Sequence, residues 1–205
     1  MAHVPTAERR SQLIDAAITL MTREGAAAGS TRAVAAEIGV AQMTVHYVFG
    51  SKAEFTREIL RELSRRVVEQ VRPTAEAARG SGFEESLNLA ARALWQTVQA
   101  DPGGQLLWTE LALQTLRDEE MRKLTAEHDA DMRAVTAEVL ETIAMRHGQD
   151  LAVPAAALAR FFLAGFDGLS GQSLTAPDPE AEELCLRQLI SATAALATGE
   201  PMRIR

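Results

Sequence analysis

Apolar residues recur every three or four positions along nearly the whole chain, and no stretch alternates apolar with polar at every second position. A helix brings residues 3.6 apart onto one face and a strand every second residue, so this pattern admits helices and excludes a sheet. No Asn-Gly or Asp-Gly pair separates β-branched runs, which removes the usual hairpin signal as well. The expected fold is all-α.

The punctuation between helices is legible. The first helix follows Pro5-Thr6, carries Leu13, Ile14, Ala17, Ile18 and Met21 on one stripe, and stops at Gly25. A short helix follows Ser30-Thr31 and halts at Gly39, and a third, very short one starts near Ala41. Ser51-Lys52-Ala53-Glu54 has the form of a capping box, opening a long helix with Phe55, Ile59, Leu63, Val67 and Val71 on one face. Pro73 lacks an N–H and is predicted to bend or end that helix. Ser81-Gly82-Phe83-Glu84 repeats the box and opens a fifth helix, which runs to a break at Asp101-Pro102-Gly103-Gly104. A sixth spans roughly residues 105–116. Asp118 is placed to cap a seventh, whose stripe is Met121, Leu124, His128, Met132, Val135, Val139 and Ile143 and which ends at Gly148. Pro154 begins an eighth, and Asp178-Pro179 opens a ninth that ends by Gly199.

The 205 residues suffice for one compact domain, or a small module joined to a larger one. Hydrophobic residues make up 47%, enough for a full core. No apolar run approaches the ~18 residues of a membrane span, and the first ten residues lack the apolar stretch of a secretory signal, so a cytoplasmic protein is expected. The single cysteine, Cys185, rules out an internal disulfide. The formal net charge of −7 argues at first against nucleic acid. Its distribution is uneven, however: residues 1–52 carry +1 and the remaining 153 carry −8. A polyanion would have to meet the N-terminal quarter.

Within that quarter, residues 31–49 satisfy the requirements of a helix-turn-helix one by one. A small residue where two helices cross is supplied by Ala35, and a glycine at the turn by Gly39. Apolar residues that hold the pair together fall on Val34, Ile38, Val40, Val45 and Val48. Once these are removed, Gln42, Met43, Thr44, His46 and Tyr47 remain on the outer face of the second helix. Such a set can hydrogen-bond base edges and phosphates or touch a thymine methyl group, whereas a merely structural surface helix more often carries Glu and Lys. The bland alternative is a short helical hairpin that only packs.

The stretch from Thr31 to Lys52 resembles the DNA-binding signature of the tetracycline-repressor (TetR) family, above all in Thr44, the aromatic Tyr47, Phe49 and the Gly50-Ser51-Lys52 that opens a long fourth helix. The resemblance implies DNA contacts from Thr31, Arg32, Gln42, Met43, Thr44, His46, Tyr47 and Lys52. Arg32 would stand where some members reach a guanine, Tyr47 and Lys52 where they hold phosphates. The sequence departs from the family pattern twice: Ala41 stands where a serine usually caps the recognition helix, and His46 replaces the first tyrosine of the usual pair.

The resemblance also implies the architecture: about nine helices, with a head at residues 1–52 joined by the long fourth helix to an effector-binding and dimerising bundle at 53–205. The residues support this independently. The segment after Pro154 is apolar nearly all round, with Leu158, Phe161, Phe162, Leu163, Phe166 and Leu169, and must be covered on both sides. With the stripe Cys185, Leu189, Ala192, Thr193, Leu196 and Ala197, it could form half of an intersubunit four-helix bundle. Leu158, Phe161, Leu169, Cys185, Leu189, Thr193 and Leu196 are the candidate interface residues; the alternative is that both helices lie inside a monomer. Trp95, Trp108, Leu111, His128, Met132, Phe162 and Phe166 are candidates to line an effector pocket. His128 reads equally as a hydrogen-bonded core residue. Glu127 and Asp131 fall off the stripe that carries His128, so no metal site is expected.

No nucleophile with a partner base, paired carboxylates or glycine-rich phosphate loop can be identified, so neither enzymatic activity nor a cofactor is expected. The reading is a homodimeric, ligand-responsive repressor that binds a palindromic operator and is released by a small apolar effector. Two alternatives stand beside it: an all-helical enzyme or carrier with a coincidental helix-turn-helix, and a constitutive DNA-binding protein with no effector.

Overall fold

In the computed structural model, which describes residues 5–77 and 81–200, the described residues form nine α-helices and one short 3₁₀ turn, with no strand. They are α1 (Thr6–Glu24), the turn Ala26–Ala28, α2 (Thr31–Glu37), α3 (Gln42–Phe49), α4 (Lys52–Ala77), α5 (Phe83–Ala100), α6 (Pro102–Thr115), α7 (Glu119–Arg146), α8 (Ala155–Thr175) and α9 (Pro179–Thr198). None is long and apolar enough to cross a membrane. His3 and the side chains of Val67, Val71, Met121 and Leu124 lie outside the described residues.

The caps follow local chemistry, with three departures from expectation. At α4, Ser51 Oγ accepts from the Glu54 N–H at 3.1 Å, but the return bond of the box is replaced: Glu54 pairs with Arg57, and the Ser51 N–H donates to the Phe49 carbonyl. Pro73 lies within α4, which continues to Ala77. A proline removes one helical hydrogen bond without obliging the chain to leave the helix. At α5 the box is offset by one residue, since the Ser81 N–H and hydroxyl both donate to Glu85 rather than Glu84. The break before α6 is also shorter than expected. Only Asp101 is non-helical, and Gly103 and Gly104 lie within the first turn that Pro102 opens. Asp178 caps α9 as expected, accepting from the Glu180 and Ala181 N–H groups.

The chain divides into two compact units: residues 1–65 with 103–128, and residues 66–102 with 129–205. In the first unit, Leu13, Ala17, Leu20, Val34, Val45, Phe55 and Ile59 share one hydrophobic core with Leu107 and Leu111 of α6. In the second, Phe83, Leu87 and Trp95 of α5 pack with Leu140 and Ile143 of α7, Leu158 and Phe162 of α8, and Leu186 and Ile190 of α9.

Candidate nucleic-acid interface

Two short helices present the face. Helices of seven and eight residues are too short to persist alone, so their placement depends on what they pack against. Val34 and Ala35 of α2 and Val45 of α3 are at most 1% exposed, and the absence of a larger side chain at Ala35 lets the two helices cross closely. Between them Gly39 adopts φ 67°, a left-handed conformation costly for any side chain, and the Val40 N–H closes the turn onto the Ala35 carbonyl at 2.9 Å. Ser30 Oγ caps α2 by accepting from the Ala33 N–H at 3.2 Å. Ala41 gives α3 no side-chain cap, as its identity requires.

The core-facing set leaves the predicted outer set in place. Tyr47 is 83% exposed and Met43 72%, values no purely structural eight-residue helix needs. Gln42, His46, Arg32 and Lys52 are exposed, and Thr31 and Thr44 half-buried. Gln42 Nε2 donates to Thr31 Oγ1 at 3.2 Å, tying the start of α3 to the start of α2. Lys52 is the first residue of α4, where the helix dipole is positive and a cation is locally unfavourable by about 0.3–1 kcal/mol. A phosphate there would be met by lysine and helix terminus together.

The head is held by ion pairs that spacing did not reveal. Arg10 of α1 forks onto Glu58 of α4, at 3.1 Å for Nη2, while its guanidinium lies 5.0 Å from the Phe49 ring centroid. One side chain thereby joins α1, the end of α3 and α4. Arg23 bonds Glu37 at 3.0 Å and holds that carboxyl below the usual carboxylate range. Glu37 is thus engaged by α1, and Arg32 forms no ion pair among the described residues.

The predicted effector residues fall in both units. Trp108, Leu111 and His128 belong to the first. There Leu111 is closed into the core at 4% exposure. His128 Nδ1 is hydrogen-bonded to Ser64 Oγ, and its ring lies 4.0 Å from that of Trp108. Ser64 also donates its only proton to the Leu60 carbonyl at 2.8 Å, so Nδ1 carries the proton of the His128–Ser64 bond. Trp95, Met132, Phe162 and Phe166 belong to the second unit, where Phe166 meets Trp95 edge-on at 5.8 Å and Phe162 at 5.6 Å.

Two carboxylates of the same unit escaped the sequence reading. Asp167 of α8 is pushed up to about 6 by the protein atoms around it and by the charge of Asp129 on α7. Asp129 is itself raised by burial, against the pull of Arg133. The only sequence hint was Asp167 interrupting an otherwise apolar helix.

Of the residues expected between two copies, Leu158, Leu169 and Thr193 are buried in the core of the unit. Phe161 and Leu196 are each 42% exposed, Cys185 is exposed, and Leu189 is half-buried against Gly165.

Residues 13–59 match the model of the bacterial regulatory proteins of the tetR family, and residues 83–198 that of the C-terminal part of BetI-type transcriptional repressors. The HTH-type nicotine-responsive transcriptional repressor HdnoR of Paenarthrobacter nicotinovorans is 28% identical over 89% of this chain and 92% of its own. The HTH-type transcriptional regulator BetI of Agrobacterium fabrum is 30% identical over 62% and 60%. The solved structure of the multidrug binding protein EbrR complexed with imidazole matches 91% of this chain and 94% of its own, at 26% identity and a TM-score of 0.68.

Proposed function

Because the chain belongs to the tetR family of bacterial regulatory proteins, with a C-terminal part of the BetI type, we propose that it is a homodimeric repressor that leaves its operator when a small molecule binds the second unit. It is a DNA-binding regulator of transcription and not an enzyme. The observation that carries the reading is the outward polar and aromatic face of α3, with Met43 and Tyr47 open to solvent, together with exposed Arg32, which forms no ion pair among the described residues, and the N-terminal Lys52 of α4.

In the proposed complex, α3 enters the major groove. Gln42, Met43 and Thr44 face base edges, Arg32 reads a guanine from α2, and Thr31, His46, Tyr47 and Lys52 hold the backbone. The functional head is residues 1–52 and the remainder serves effector and partner. A second copy docks on α8 and α9 through Phe161, Cys185, Leu189 and Leu196, whose accessible apolar surface supports that role. The effector is a small, largely apolar nitrogen base. Trp95, Met132, Phe162 and Phe166 supply its apolar surroundings and Asp129 and Asp167 the negative charge; nicotine and imidazole, named for two similar proteins, are both of this chemical kind. Release requires that this molecule favour one spacing of the two heads over another.

A gel shift with DNA from upstream of its own gene tests the reading. The parent protein shifts this duplex specifically, with affinity falling steeply as salt rises. Lys52→Ala weakens all duplexes alike and lowers the salt slope by about one, whereas Arg32→Ala costs about 1–3 kcal/mol of discrimination at one base pair. Both variants binding like the parent would overturn these assignments.

A further inference from the structure

In the turn between α1 and α2, the Ala26 amide donates to a side chain of another helix. Ala28, Gly29 and Ser30 donate to the Gly25, Ala26 and Ala28 carbonyls, all within the segment. Ala26, 6% exposed, instead gives its N–H to the Glu110 carboxylate of α6 at 2.6 Å, 84 residues away in sequence. The residue before it, Gly25, has φ 88° and ψ 160°, a region almost confined to glycine, and a Cβ there would lie 3.4 Å from Glu110 Oε2. On either side of Glu110, Leu107 and Leu111 anchor α6 in the same core as α1 and α2.

We infer that Glu110, far outside the DNA-contacting segment, is a positioning residue for DNA reading: by holding the Ala26 amide, its carboxylate sets where α2 and α3 begin. The relay is continuous. From Ala26, whose carbonyl accepts the Gly29 N–H, the turn leads to Ser30, whose hydroxyl and carbonyl accept from Ala33 and Val34 at the first turn of α2. That turn carries Arg32 and Thr31, and Thr31 holds Gln42 at the start of α3. Removing the carboxylate leaves a buried N–H without its acceptor at the first link, and a charge-assisted bond is the strongest class such a link can use. The inference rests on the reading of α2 and α3 as the DNA-contacting face.

The test compares the parent, Glu110→Ala and Glu110→Gln in fluorescence anisotropy on two duplexes, the region upstream of the chain's own gene and a scrambled one of equal length. Amide exchange at Ala26 is followed in each protein. Glu110→Ala weakens specific binding about tenfold, leaves scrambled binding and the salt slope unchanged, and accelerates Ala26 exchange. Glu110→Gln, whose amide oxygen still accepts, recovers most of the loss. Specific binding by Glu110→Ala equal to the parent's overturns the inference. So does an equal loss on both duplexes that Gln does not rescue, which is loss of the fold. A parent that binds neither duplex overturns the underlying reading and the inference with it.

Discussion

The two units solve the same packing problem with different margins. The second is built from α5, α8 and α9, of 18 to 21 residues, and much of α7, so each helix buries several turns of apolar surface. The first presents its functional face on helices of seven and eight residues, secured by one glycine turn, one serine cap and side chains from α1, α4 and α6. The long helices carry much of the apolar surface that holds them, and the short ones derive their geometry from their neighbours. Recognition is thus placed on the elements least able to fold alone, and it responds to changes that the rest of the molecule tolerates.

Paired substitutions break this comparison most sharply. Leu186→Ala empties a fully buried site in α9 and lowers stability by about 2–5 kcal/mol in a urea titration, while DNA affinity at low temperature stays near that of the parent. Ala35→Leu overpacks the crossing of α2 and α3 at a local cost of about 1–3 kcal/mol; specific DNA binding falls by one to two orders of magnitude, with little change in overall helicity by circular dichroism. The reverse ordering, with DNA binding more sensitive to the body than to the crossing, would refute it.

Strengthening the weak element sharpens the contrast. Ala41→Ser supplies the cap that α3 lacks and contributes about 1 kcal/mol or less, seen as a modest gain in operator affinity and slower amide exchange in the first turn of α3. The smallest effect belongs to the second unit. Asp167 has a folded pKa raised to about 6, above the ordinary aspartate value of 3.8, so the folded state takes up a proton first as pH falls. Its charge therefore weakens the fold above pH 6, and this cost disappears between pH 6 and 4. Asp167→Asn raises the melting temperature at pH 7 by about 1–3 °C, a shift kept small by the accessibility of the side chain, and removes that part of the pH dependence.

What could be read from the chain follows the range of the interactions. The helix-turn-helix was legible because every requirement, from Ala35 and Gly39 to Val45, lies within twenty residues and obeys the helical period. The outward set of α3 followed by subtraction. The offset box at Ser81 and Glu85, the half-formed box at Ser51 and the shorter break before α6 are errors of a residue or a turn, where competing local bonds differ little in energy. The larger surprises are pairings without a local pattern: Arg10 with Glu58, Glu110 with Ala26, and Leu111 sealed in the head. The stripe that holds Leu158, Leu169 and Thr193 has a related limit of range, because an apolar stripe states that a face is covered but not by what.

The eight residues of α3 amount to about 12 Å of helix. At roughly 3.4 Å per base-pair step, that length spans about four steps. Four letters read without error recur about once in 256 positions, against the million or more competing sites of a bacterial chromosome. One such helix is an address with too few digits.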